Sequence, residues 1–335
     1  MTVAYAPGKI ILVGEHAVVY GRPAVALPVN QVRAQATIED AREGQGIVIV
    51  AADLGQTILG RGEQARSSPH PLAMAVFAAL GYLGLSSEQD LTMTVRSDIP
   101  IARGLGSGAA VSTAITRAVA QHFSRRLSAQ EVSRLVYQVE QVHHGTPSGI
   151  DNTVIAYERP VYFVRDQTLE TFSVGRAMTL LIADTGEPSS TKEVVGAVRQ
   201  AWQRSRHSYE SLFARVGEIA VEVRRAMEEG DVVQVGRMMD ENHQLLQTLG
   251  VSSPRLDSLV QAARDHGALG AKLSGAGRGG NMIALVTAAT RSEVERALLS
   301  AGAERVIQNE VKPAEENSPS AMSPAAPAGP HDGPP

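Results

Sequence analysis

The chain has 335 residues, of which 43% are hydrophobic and 20% charged, and its formal net charge is −4. That length suits one large domain or two moderate ones with ample core material. The charge gives no reason to expect nucleic acid or an anionic membrane as a partner. There is no cysteine, which excludes a disulfide framework and a thiolate metal site. The start, MTVAYAPGK, lacks the basic and apolar regions of a signal peptide, and no apolar run reaches membrane-spanning length. A soluble cytoplasmic protein is expected.

Residues 3 to 52 read mostly as strands. Ala6-Pro7-Gly8 reads as a tight turn that delivers Lys9 into the apolar run Ile10 to Val13. Such a lysine faces either solvent or a site. Gly14-Glu15-His16 puts an acid and an imidazole at the far end of that strand, as a surface pair or as functional groups. Val32, Ala34, Ala36 and Ile38 alternate, and Ile47 to Val50 is a short apolar run. Pro71 to Leu83 reads as a helix and Leu91 to Val95 as a strand. Next comes PIARGLGSGAA, Pro100 to Ala110, opening into a helix over Ala109 to Phe123. Ser128 and Glu131 form a capping box for a helix with the stripe Val132, Leu135, Val136, Val139 and Val142, ending at Gly145 before Thr146-Pro147. Glu140 lies off that stripe. The polar loop HHGTPSGIDN then delivers Asp151 ahead of Thr153-Val154-Ile155, which reads as a strand.

A second region begins near Ala177, which places domains at 1–176 and 177–312. Its elements are a strand at Met178 to Ile182, helical patterns over 192–228, 231–249 and 254–266, and a strand over 268–274. After the turn GAGRGG come strand 281–287, helix 290–301 and strand 303–310. The order resembles a split βαβ sandwich. Residues 313–335 are rich in Pro, Ala and Ser and are expected to be disordered.

The chemistry concentrates in PIARGLGSGAA. A helix start presents unpaired N–H groups and the positive end of the helix dipole, and glycines let that backbone close on an anion. The loop is therefore either a plain helix-starting turn or a phosphate site. No GxxxxGK[ST] occurs, so it is not a Walker-type loop. Gly104, Gly106 and Ala109 fit a loose dinucleotide pattern, but Arg96 to Arg103 separates them from the preceding strand. The next acid, Glu131, belongs to the capping box. GAGRGG also fits literally, yet a strand pattern follows it rather than a helix. Glu140 and Asp151 are either ordinary surface acids or the two carboxylates that phosphoryl transfer divides between metal binding and base. His143 and His144 are adjacent on a helix and point apart, with no HExxH, so they do not read as a metal pair. Only Lys9, Lys192, Lys272 and Lys312 are lysine, and three of them lie in the motif-like segments APGK, SSTK and AKLSGAG.

APGKIILVGEHAVVYGRPAVALPV, PIARGLGSGAAVSTA and KLSGAGRGGNMIAL resemble the three motifs of the GHMP kinases, over roughly residues 4 to 310. GEHAVVYG and HGTPSGIDN resemble the branch of that family acting on mevalonate. The resemblance implies an α+β, two-domain GHMP kinase fold, with a ribosomal-protein-like N-terminal part, a ferredoxin-like C-terminal part and the active site in the cleft between them. It implies ATP and Mg²⁺ as cofactors, mevalonate as the small-molecule substrate and a homodimer. Asp151 would be the base and Lys9 its electrostatic partner. Pro100, Arg103, Gly104, Leu105, Gly106, Ser107, Gly108, Ala109 and Ala110 would hold the ATP phosphates. Glu140 and Ser107 would bind Mg²⁺, and Glu15, His16, Thr191, Gly275 and Ala276 would border the substrate. Three positions depart from the family pattern. Gly108 stands where relatives carry a second serine, usually assigned to Mg²⁺, so Ser107 or water must supply that oxygen. Val111 replaces a tyrosine of some relatives. Arg278 and Asn281 replace a glycine and a cysteine, and Arg278 faces either phosphate or solvent.

Overall fold

A computed structural model describes residues 1–60, 70–101, 103–144, 147–165, 167 and 170–313, with residues 59, 60, 143 and 144 described by backbone alone. The expected tail beyond Pro313, Gly145-Thr146 and the side chains of the His143-His144 pair lie outside the described residues.

Strands β1 (Thr2–Val13) and β2 (Ala24–Asp40) form a long antiparallel pair, from Thr2 opposite Ile38 to Val13 opposite Val25. The segment Ala6-Pro7-Gly8 is not a turn. It lies inside β1 at a register shift between Pro7 and Gly8, where β2 carries extra residues. Strands β3 (Ile47–Ala51), β4 (Gln56–Gly60), β5 (Leu91–Ser97), β6 (Val161–Phe163) and β7 (Glu170–Thr171) complete a seven-stranded sheet. Its order is β4-β3-β5-β2-β6-β7, with β1 on the other edge of β2.

Helices α1 (Pro71–Tyr82), α2 (Ser107–His122), α3 (Ala129–His144) and α4 (Ile150–Tyr157) belong to this part. The alanines at 109, 110, 114 and 118 are buried, which lets α2 lie close against β1 and β2. The strand expected at Thr153 to Ile155 is instead part of α4. Gly149, at φ 89°, starts that helix, and Ile150, Val154 and Ile155 are buried at helical spacing. The β-branched run is a core face, not an alternating strand.

The second sheet contains β8 (Met178–Asp184), β9 (Gly270–Ser274), β10 (Asn281–Val286) and β11 (Arg305–Val311), all antiparallel in the order β11-β8-β10-β9. With the intervening helices this is the split βαβ arrangement. Those helices are α5 (Thr191–Arg204), α6 (Arg206–Glu229), α7 (Val232–Thr248), α8 (Pro254–Asp265) and α9 (Arg291–Ser300). The helical pattern expected over 192–228 breaks at Ser205 into α5 and α6. One apolar core runs from β1 and β2 through Ile219, Ala220 and Val223 of α6 to Leu180, Ile182 and Ile283 of the second sheet. The two sheets thus share one core, and β1 meets β9. Among the described residues no helix is long and apolar enough to cross a membrane.

Candidate active site

The site grows from the bulge in β1. Gly8 allows the glycine loop to approach: a Cβ there would meet the Leu105 carbonyl at 3.3 Å and Val32 Cγ2 at 3.3 Å. The next residue, Lys9, donates its N–H to Leu105 O at 3.0 Å. Its side chain is only 6% exposed and ends 2.8 Å from Asp151 Oδ1, in the first turn of α4. Burial on a strand holds the ammonium at one point, and the Asp151 side chain, 35% exposed, keeps its other side open.

Gly106 caps α2 at φ 72°, a left-handed conformation that favours glycine. A Cβ there would stand 2.9 Å from both Lys9 Cγ and Ile155 Cδ1, so the glycine is also what lets the loop close over the lysine. The first α-helical bond of α2 runs from Ala110 N–H to Gly106 O at 2.9 Å. The N–H groups of Ser107, Gly108 and Ala109 thus have no carbonyl one turn back, which is the geometry an anion cradle requires.

Glu140, on α3, faces the same place. A Cβ on Gly108 would lie 3.2 Å from Glu140 Oε1. The carboxyl is buried, and desolvation first, then the Asp151 charge, push its pKa up to about 7, with Lys9 opposing. A buried carboxylate that shares a space with another acid and an anion cradle is chemically fit to receive a divalent cation. Mg²⁺ takes few protein carboxylates and completes its shell with phosphate and water oxygens. Among the described residues no cluster of three or more His, Cys, Asp or Glu is arranged to hold a metal by itself.

Just beyond the end of β1, Glu15 and His16 are almost wholly buried. His16 sits at φ 62°, and its Nε2–H donates to Ala276 O at 2.9 Å, which leaves Nδ1 as an acceptor with no partner. Burial lowers its pKa to about 4, so the ring is neutral at pH 7. Glu15 Oε1 accepts from Lys272 Nζ on β9, and Oε2 is buried with no hydrogen-bond partner. Ser274 Oγ donates to Ile11 O at 2.8 Å and completes this seam between the sheets.

The remaining expected residues fall around these clusters. Pro100 and Arg103 precede the cradle, and Arg103 pairs with Asp184 at 3.3 Å. Gly275 and Ala276 follow β9, and the Ala276 carbonyl is already used by His16. Thr191 is exposed at the first position of α5, and Ser189, two residues before it, donates to Gly277 O at 2.6 Å. Arg278 bonds Gly250 O through Nε and Nη2 at 3.3 and 3.2 Å, capping the chain after α7. Sequence reasoning did not assign three supports. Asn281 Nδ2 donates to Arg103 O and fastens the glycine loop to β10. Lys272 holds Glu15; its signal was the rarity of lysine. His243 of α7 accepts the Leu273 N–H on Nδ1 at 3.3 Å and donates from Nε2 to Asp257 at 3.1 Å.

Residues 72–159 match the model of the GHMP kinases N-terminal domain and residues 223–304 that of the GHMP kinases C-terminal domain. The chain belongs to the GHMP kinase family. It is 35% identical over 320 residues to a mevalonate kinase of Thermococcus onnurineus, spanning 91% of this chain and 94% of that protein. A mevalonate kinase of Aeropyrum pernix is also 35% identical, over 305 residues, 89% of this chain and 91% of that protein. Among solved structures, the L. major mevalonate kinase in complex with R-mevalonate superposes with a TM-score of 0.79 at 27% identity, over 93% of this GHMP kinase and 96% of that chain. A further mevalonate kinase crystal structure gives 0.82 at 25% identity, over 93% and 100%. As a GHMP kinase the chain uses ATP, and the fold expected from its three motifs is the one observed.

Proposed function

We propose that this GHMP kinase transfers the γ-phosphoryl group of ATP to the primary hydroxyl of mevalonate, giving 5-phosphomevalonate and ADP. The observation that carries the reading is the Lys9–Asp151 pair at 2.8 Å, set against the N-terminus of α2. Similarity to mevalonate kinases over nine-tenths of the chain supports the choice of substrate.

In this reading the N–H groups of residues 107–109 bind phosphate oxygens, and the positive end of α2 favours their charge. Asp151, in the first turn of α4, accepts the proton of the mevalonate hydroxyl. Phosphoryl transfer asks the protein mainly for positioning and charge stabilisation, so what the base needs above all is its place beside the attacking hydroxyl. Lys9 orients that carboxylate and stabilises negative charge developing between the nucleophile and the phosphoryl group. Its burial lets it act without solvent screening. Glu140, with Ser107 or water, would hold Mg²⁺, which neutralises phosphate charge when bound. Glu15 Oε2 and His16 Nδ1 each offer an unused acceptor for substrate hydroxyls.

A coupled ADP-release assay tests the reading against mevalonate, phosphomevalonate, galactose and homoserine. Turnover confined to mevalonate supports it, and turnover confined to another of these alcohols refutes it.

A further inference from the structure

Lys272 is fully buried on β9, yet it belongs neither to the phosphate cradle nor to the Lys9–Asp151 pair. Its ammonium contacts Glu15 Oε1 and the Leu273 carbonyl. A buried ion pair is a poor device for stability, because desolving both charges offsets most of their attraction. Burial indeed drives Glu15 up and Lys272 down, each opposed by the other's charge. The pair therefore calls for a role beyond holding the fold together.

The geometry around it supplies one. Lys272 occupies one Glu15 oxygen; the other, Oε2, is buried and makes no hydrogen bond of good geometry, although the backbone N–H groups of Glu15 and Gly275 lie close enough to favour the carboxylate. The next residue repeats the arrangement: Ala276 O occupies His16 Nε2–H and leaves Nδ1 buried and unpartnered. Two neighbouring side chains thus each have one atom clamped by the β9 region and one acceptor left over. A buried acceptor without a donor carries an uncompensated desolvation cost, and a ligand carrying hydroxyl donors relieves it. β9 itself is held from behind, since Leu273 N–H is bonded by His243, whose other nitrogen is fixed by Asp257.

We propose that Lys272 is a positioning residue for substrate recognition: by clamping one oxygen of Glu15 from the second sheet, it presents the other as an acceptor for a hydroxyl of the substrate. This rests on the reading of Glu15 and His16 as the mevalonate side of the site. The ammonium of Lys272 bonds Glu15 and the Leu273 carbonyl rather than residues 107–109 or the Lys9–Asp151 pair, so its effect belongs to mevalonate binding and is routed through Glu15.

The test is a double-mutant cycle in the full chain, with Lys272→Met, Glu15→Gln and both together, scored by separate KM values for mevalonate and ATP. The expected result is a rise of about tenfold in mevalonate KM for each single variant, with ATP KM within about twofold of wild type. Because Lys272 acts through Glu15, the double variant shows the same rise and not the product of two. If Lys272→Met leaves Glu15 unpaired and fails to fold, Glu15→Gln and the neutral double variant are compared directly, and equal mevalonate KM values support the assignment. Multiplying effects, an unchanged mevalonate KM, or equal rises in both KM values would overturn it. Absence of mevalonate turnover in the wild type would instead sink the proposed function, which separates the two failures.

Discussion

Gly104 and Gly106 differ in one respect that kinetics can read. Both have left-handed backbone, at φ 80° and 72°, so alanine at either costs roughly 1 to 2 kcal/mol of strain. A Cβ on Gly104 meets nothing within 4 Å, whereas one on Gly106 stands 2.9 Å from Lys9 Cγ and from Ile155 Cδ1. Carbon contacts this short must open by roughly half an ångström or more to reach van der Waals distance. Lys9 is the softer neighbour, and its displacement breaks the 2.8 Å contact with Asp151. A misplacement approaching 1 Å in a catalytic group costs on the order of 100-fold in rate. Gly106→Ala should therefore lower kcat about 100-fold, while Gly104→Ala should act chiefly on ATP KM, its Cβ entering the space by the cradle. Gly106→Ala should also lose more stability by urea denaturation, because its clash adds to the strain both variants share. Steady-state kinetics on the two variants decides it. A kcat for Gly106→Ala within about threefold of that for Gly104→Ala would refute the claim that this glycine exists to seat Lys9.

Gly108→Ser would put a hydroxyl beside Glu140 Oε1, 3.2 Å from the added Cβ. It should tighten Mg²⁺ binding several-fold in calorimetric titration with a non-hydrolysable ATP analogue, and an unchanged affinity would remove position 108 from the metal's surroundings. His243 is held neutral, its pKa lowered from 6.5 to about 4, chiefly by burial. A depressed histidine pKa gives stability that is present above pH 6.5 and lost as pH falls toward 4. That loss is about 3 kcal/mol. In His243→Gln, which cannot titrate, urea midpoints should fall less steeply over that window, and parallel curves for variant and wild type would show the ring is not so held.

The three glycine-bearing blocks were legible because their chemistry is local. PIARGLGSGAA carries its own helix start, and the structure brings Lys9, Glu140 and Asp151 together. Two misreadings share one cause. Ala6-Pro7-Gly8 was expected to be a turn and Thr153 to Ile155 a strand, both from residue preference. Pairing of β1 with β2 overrode the first, and packing of Ile150, Val154 and Ile155 overrode the second. The supports were hidden for another reason. Lys272 meets Glu15 across 257 residues and Asn281 meets Arg103 across 178, so neither contact leaves a periodicity or spacing to find. Lysine's scarcity marked Lys272, yet nothing in its own segment named its partner.

The proposed mechanism depends most directly on Asp151 acting as the base that lets mevalonate attack ATP. Asp151→Asn keeps the shape and the hydrogen-bonding reach to Lys9 but removes the basic carboxylate. ADP release with mevalonate should fall by orders of magnitude while a fluorescent ATP analogue binds as tightly as to wild type. Near-normal turnover by Asp151→Asn would contradict the account.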